Sequence, residues 1–136
     1  MLIDSNILIY ALNSRSPKNK VAQSFIQSQK EIAVAQQNIF ETLRILTHTK
    51  FPQPVNPSEA VKSIKLVTKH ALIISPTFDT VSLTYELIKK YDIQGTEIFD
   101  AYLVATAISN GITKIATNNE KHLKKYKEVT IVNPFA

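Results

Sequence analysis

The apolar residues of this chain fall into two patterns. Short runs, Met1 to Ile3 ahead of Asp4, Ile32 to Ala35, Leu72 to Ser75, Thr113 to Thr117 around Ile115 and Ala116, and Val129 to Val132, read as brief strands. Ile32 to Ala35 is apolar throughout, as suits a parallel sheet covered on both faces. Between the runs the apolar positions recur with helical period. Ile7 to Leu12 begins a helix after a Ser5-Asn6 turn. Lys18 to Gln29 carries Val21, Ala22, Phe25 and Ile26 behind a Ser16-Pro17 cap. Gln36 to Thr49 carries a stripe of Ile39, Phe40, Leu43 and Leu46. Asn56-Pro57-Ser58-Glu59 has the form of a cap, a first-turn proline and a box-closing acid, and Ala60, Val61, Ile64 and Val67 follow. Thr77 to Tyr91 presents Val81, Leu83, Tyr85, Leu87 and Ile88, and Lys121 to Tyr126 makes a short basic helix. Strands alternating with helices predict an α/β fold: a three-layer α/β/α sandwich on a short, mostly parallel sheet. No repeat, low-complexity segment or interior linker divides it, so residues 1–136 are expected to form a single domain.

The stretch Thr96 to Gly111 breaks the amphipathic rule. Thr96 can cap a helix start and Glu97 suits the positive end of its dipole, while Gly111 suits the left-handed residue that ends one. Between Ile98 and Ile108 the only charge is Asp100. A helix apolar nearly all round is a buried helix, and an ionised carboxylate in it is costly unless something positive or hydrogen-bonding meets it.

Composition narrows the partners. The chain has 136 residues, 44% hydrophobic and 20% charged, which describes an ordinary globule. It contains no cysteine, which excludes disulfides and thiolate metal sites. His48, His70 and His122 show no paired ligand spacing. No apolar run is long enough to span a membrane and no signal peptide is visible, so the expected compartment is cytoplasmic, with no membrane partner. Sixteen Lys and Arg against eleven Asp and Glu give a net charge of +5 and a pI near 9.4, which favours a polyanionic partner such as nucleic acid. The outer surface is more basic still if some acids are drawn inside a site.

Candidates for such a site are Asp4, Glu41, Asp100 and the Thr117–Glu120 turn. Taken singly, Asp4 suits a helix N-cap, Glu41 a surface acid paired with Arg44, and Asp100 a first-turn acid. Together they share one property. Each lies at the carboxyl end of an expected strand or on a helix leaning over it, the edge where open α/β sheets bind ligands. Three carboxylates meeting there repel one another and stay ionised together only around a cation. Oxygen ligands without thiol or imidazole select Mg²⁺ or Mn²⁺ rather than zinc.

The chain also resembles the PIN-domain family, and within it the VapC-type toxins. The matching residues are Asp4-Ser5-Asn6-Ile7-Leu8, Glu41-x-x-Arg44, Gly95-x-x-Ile98-x-Asp100-Ala101 with Ala105-Thr106-Ala107, then Ile115-Ala116-Thr117-Asn118-Asn119 and Val132-Asn133-Pro134. The resemblance implies a PIN-like parallel sheet flanked by helices. It also implies a metal-dependent endoribonuclease, a homodimer, and a cognate antitoxin protein that covers the acidic site. By position it makes Asp4, Glu41 and Asp100 the catalytic and metal-holding acids. At the fourth acidic position many members have Asp where this chain has Asn119; Glu120 is adjacent and could substitute, although the one-residue shift could turn it outward. Asn6 and Thr117 would support the site by hydrogen bonds, or serve only the turns they sit in.

The resulting expectation is hydrolysis of an RNA phosphodiester at a Mg²⁺ or Mn²⁺ site. Arg44 is the first candidate to hold flanking phosphates, with Arg15, Lys18 and Lys20 behind it. The rival is a PIN-like module that binds RNA or a protein without cutting, motivated by Asn119. A phosphatase fold wants a second acid where Asn6 stands, a receiver wants an adjacent acidic pair that Glu41 on a helix does not supply, and nucleotide-binding turns want glycines, of which this chain has only Gly95 and Gly111.

Overall fold

Leu2 and Ile3 form β1, and the two side chains are fully buried on opposite faces of the sheet. The computed structural model describes residues 1–136. After β1 the chain runs α1 (Ser5–Leu12), α2 (Asn19–Ser28), β2 (Ala33–Ala35), α3 (Gln36–Leu46), α4 (Pro57–Val67), β3 (Leu72–Ile74) and α5 (Thr80–Tyr91). A 3₁₀ turn (Gly95–Glu97) leads into α6 (Ile98–Ser109), then β4 (Lys114–Ala116), α7 (Glu120–Leu123) and β5 (Thr130–Val132). The strand order is β3-β2-β1-β4-β5 and every pairing is parallel. No helix is long and apolar enough to cross a membrane.

Both faces of the sheet are covered along its central strands β1, β2 and β4, which is why these carry no polar alternation, while Leu72 and Ile73 on the edge strand β3 are exposed. Leu2, Ala33, Ala35 and Ile115 pack with α5, α6 and Tyr126 on one side. Ile3, Val34 and Ala116 pack with α1, α2 and α4 on the other. This is the expected three-layer sandwich, with a sheet that is parallel throughout.

Helix ends follow local chemistry. The α4 cap is as expected: Asn56 Oδ1 accepts from the Glu59 N–H at 2.9 Å and Pro57 follows it. Gly111, at φ +74°, ends α6, with its N–H bonded to the Ile108 carbonyl and the Ile112 N–H bonded to that of Ala107. Two starts differ from expectation. No turn separates Asp4 from α1, because Asp4 itself caps the helix and accepts from the Ser5 N–H at 2.8 Å. Thr96 does not cap α6; it lies in the 3₁₀ turn, and Glu97 makes no capping bond.

Two helices, α3 and α5, bury a face shifted from the apolar stripe. Phe40 is 66% exposed, while Asn38, Thr42 and Leu46 face inward along α3. Val81 and Tyr85 are exposed on α5, where Thr80, Thr84 and Leu87 are buried; Val21 and Val61 are also exposed. The buried polar residues are satisfied locally: Thr42 Oγ1 donates to the Asn38 carbonyl at 2.7 Å and Thr84 Oγ1 to that of Thr80 at 2.7 Å. The amino-terminal turn of α6 is also open rather than buried, with Phe99 64% exposed.

Candidate active site

The sheet order reverses at β1, which leads to β2 on one side and pairs with β4 on the other. A parallel sheet leaves a crevice outside the strand ends at such a point. Asp4 follows β1 directly, and Thr117 follows β4. Glu41 stands on α3, which begins immediately after β2, and Asp100 lies in the first turn of α6. The sequence therefore places its acids on three separate elements, and the topology brings those elements to one rim.

Asp4 is the most enclosed of them. Its Oδ1 accepts from Ser5 N at 2.8 Å, Ser5 Oγ at 3.3 Å and Asn38 Nδ2 at 3.3 Å. Its Oδ2 accepts from Thr117 Oγ1 at 2.7 Å and Asn6 Nδ2 at 3.1 Å. Asn6 also donates to Thr117 Oγ1 at 3.0 Å and accepts from the Asn118 N–H at 3.0 Å, so it ties the end of β4 to the start of α1. Burial pushes the Asp4 carboxyl above its ordinary value; the Thr117 and Ser5 hydrogen bonds oppose this and the Glu41 charge adds to it.

Glu41 is joined to Asp4 by one hydroxyl. Ser5 Oγ lies 2.8 Å from Glu41 Oε2 as well as 3.3 Å from Asp4, and its single proton cannot serve both carboxylates at once. The other Glu41 oxygen accepts from Gln37 Nε2 at 2.7 Å. Glu41 forms no ion pair with Arg44, which is exposed and has no partner.

Asp100 is half-buried and receives no hydrogen bond from the protein. Burial raises its carboxyl first, then the charge of Asp4; Glu97 and Glu41 add to the rise, and His122 opposes it. Glu97, one turn before it, is held below the usual carboxylate range by Lys125 at 3.2 Å and His122 at 2.9 Å. Beneath this group lies the Tyr126 hydroxyl, buried without a partner, whose ionisation is pushed up by burial and by the Asp100 charge.

As the side chains stand, no three acidic or histidine groups are close enough together to hold one ion directly. The donor set still suits a hard cation that keeps part of its water shell: it is all oxygen, it leaves Asp100 unsatisfied beside two other carboxylates, and the buried Gln37 Oε1 has no partner. The fourth acidic position is empty of charge. The Asn119 N–H bonds Thr117 Oγ1 at 2.9 Å, and its side chain bonds nothing. Glu120 turns to Lys124 at 3.1 Å and Asn133 at 3.0 Å, away from Asp4.

The sequence profile of the PIN domain matches residues 1–129. The chain belongs to the PIN-domain family. Among curated proteins none matches this PIN domain in sequence. Solved structures share its fold at low identity. The VapBC2 complex of Rickettsia felis, bound to a promoter DNA fragment, matches with a TM-score of 0.72 at 18% identity over 97% of this chain and 96% of that one. A toxin–antitoxin complex from Klebsiella pneumoniae matches at 0.71 and 19%, over 98% and 96%. VapC20 of Mycobacterium tuberculosis, a Sarcin-Ricin loop cleaving toxin, matches at 0.70 and 14%, over 94% and 97%.

The other basic candidates, Arg15, Lys18 and Lys20, lie between α1 and the first turn of α2. Arg15 is exposed and reaches the Pro52 carbonyl at 3.5 Å. Lys18 lies over the rings of Tyr10 and Phe135 at 5.0 and 5.1 Å, and Lys20 is exposed. None of the three bonds a site carboxylate. Sequence reasoning missed Ser5, Gln37 and Asn38. Gln37 had a usable signal, its i,i+4 spacing to Glu41 on a helix; Ser5 and Asn38 became visible only with the fold.

Proposed function

We propose that this PIN domain is a Mg²⁺- or Mn²⁺-dependent endoribonuclease, the toxin of a toxin–antitoxin pair, acting as a homodimer. The observation that carries the reading is the rim itself: Asp4 and Glu41 share the Ser5 hydroxyl, and Asp100 lies beside them with no protein donor. Asp4 and Glu41 are held by hydrogen bonds, but no protein group offsets the charge of Asp100, and a cation would. A divalent ion held by Asp4, Glu41 and Asp100 would supply the positive charge and the activated water that phosphodiester hydrolysis requires. The chain's own residues do the rest. Asn6 and Thr117 hold Asp4, Gln37 and Ser5 aim Glu41, and Arg44 has a free guanidinium to meet a phosphate. The antitoxin partner is supported by the VapBC and toxin–antitoxin complexes among the structural neighbours. Self-association is supported by Val81 and Tyr85, exposed one turn apart on α5.

The test is cleavage of structured RNA with Mn²⁺, Mg²⁺ or chelator. Asp4→Asn and Asp100→Asn should each lower the rate by at least about a hundredfold, in the range seen when a charge-stabilising group is removed. Full-rate cleavage by folded Asp100→Asn, or cleavage that chelator leaves untouched, would sink the assignment. A second reading, RNA or protein binding without cutting, is favoured by one observation: neither Asn119 nor Glu120 brings a fourth charge to the rim. Metal-dependent cleavage eliminates it.

A further inference from the structure

Two exposed phenylalanines stand immediately before two of the rim's acids: Phe40 before Glu41 and Phe99 before Asp100, 66% and 64% exposed. Single exposed apolar side chains are ordinary and need no explanation. These two are set apart by their placement. The first turns of α3 and α6 touch, because Gln37 Nε2 lies 3.4 Å from the Phe99 carbonyl and 2.7 Å from Glu41 Oε1. Phe40 is three residues from Gln37 and Glu41 four, so both lie above it along the same side of α3. Arg44 follows Phe40 by one turn, exposed and without an ion pair. The touching turns of α3 and α6 therefore expose two aromatic rings and one free cation beside the helices that carry Glu41 and Asp100.

We infer that Phe40 and Phe99 form a base-stacking platform at the edge of the acid site, with Arg44 holding a neighbouring phosphate. The inference rests on the ribonuclease reading and adds to it the residues that grip the substrate. Aromatic faces interleaved with cations bind unpaired nucleotides, because every base has a π-face and a base still paired in a duplex does not expose it. Rings also serve protein interfaces; the unpaired Arg44 one turn from Phe40 favours a nucleotide, which brings a phosphate with its base.

The chain contains no tryptophan, so Phe99→Trp or Phe40→Trp gives a single reporter at the site. In chelator, a labelled single-stranded oligoribonucleotide should quench that fluorescence, and the same strand annealed to its complement should not. Phe40→Ala and Phe99→Ala should each weaken single-strand binding by about 5- to 100-fold, with Trp at either position restoring it. Light scattering on the same variants reports the competing occupant, a second copy of the chain. Unchanged RNA affinity in both alanine variants, absence of quenching, or loss of the dimer with RNA binding intact overturns the platform. Cleavage with Mn²⁺ is scored separately: wild-type cleavage with no effect of the alanines removes the platform and keeps the nuclease, and quenching without any cleavage does the reverse.

Discussion

Asp100 sets the pH behaviour of the site. Its carboxyl and that of Asp4 are raised above the ordinary value, chiefly by burial; the Asp4 charge adds to the rise of Asp100, and the Glu41 charge to that of Asp4. A raised carboxylate contributes stability that is fully present below the unfolded value of 3.8 and is lost as pH rises through the folded one. Glu97, Glu120 and Glu128 run the other way: their lowered values give stability above 4.5 that is lost as pH falls. His122 faces Asp100 as well and opposes its rise. Without metal, Asp4 and Asp100 should therefore raise the thermal midpoint as pH falls through their raised folded values, opposed below 4.5 by the failing ion pairs of Glu97, Glu120 and Glu128. At pH 7, Mn²⁺ should raise it, and so should Asp100→Asn, by roughly the 0.5–2 kcal/mol typical of relieving an unfavourable functional site. Calorimetry across pH, with and without Mn²⁺, checks all three. An Asp100→Asn variant that melts lower than wild type, with no lost contact to account for it, would contradict the repulsion argument. Asp4 and Asp100 were legible in the sequence because each is a lone charge in an apolar stretch. Ser5 was not, since nothing local says that a hydroxyl one residue from Asp4 will meet Glu41, 36 residues away.

At the scale of elements, α3 is fixed by its polar side. Asn38 is fully buried; its Oδ1 accepts from the Ala35 N–H at 3.3 Å and its Nδ2 donates to Asp4 at 3.3 Å. One amide thus fastens the start of α3 both to the strand before it and to the rim. Asn38→Ala removes both partners, and each buried group left unsatisfied costs about 1–3 kcal/mol. Urea unfolding should show a loss of that order, with cleavage falling as well because Asp4 is no longer held. A loss under 0.5 kcal/mol would mean that water replaces the amide. The same residue explains why the helices were legible as helices but not in their facing. An apolar stripe puts Phe40 in the core, and Asn38 and Thr42 outside it. The structure does the opposite, because the capping and back-bonding of Asn38 and Thr42 satisfy their polar atoms inside, and Thr80 and Thr84 repeat this on α5. In α6 the overlooked link was tertiary: Glu97 is drawn off to Lys125 and His122, so the helix starts after it without a side-chain cap.

For the molecule as a whole, the sheet order separates charge. Three of the eleven acids, Asp4, Glu41 and Asp100, collect at one rim, and none of them forms an ion pair with a Lys or Arg. The rest of the surface is then more basic than the net +5 suggests, and a polyanion is drawn toward a rim that, without its cation, repels it. Two opposite salt responses follow. Association through the basic surface should weaken as salt rises, with log K falling by about 0.7 per log unit of salt for each phosphate neutralised on a single strand. Repulsion at the rim is relieved by divalent ions at concentrations far too low to screen, because they bind there. Single-strand affinity should thus fall with KCl yet rise when micromolar Mn²⁺ is added at constant KCl. Arg44→Ala should reduce the KCl slope by about 0.7, the loss of one phosphate contact, whereas Lys114→Ala, at the amino end of β4 and so on the opposite rim of the sheet, should leave it unchanged. An Mn²⁺ response that matched KCl at equal ionic strength would mean that the rim binds no metal and that screening alone acts there.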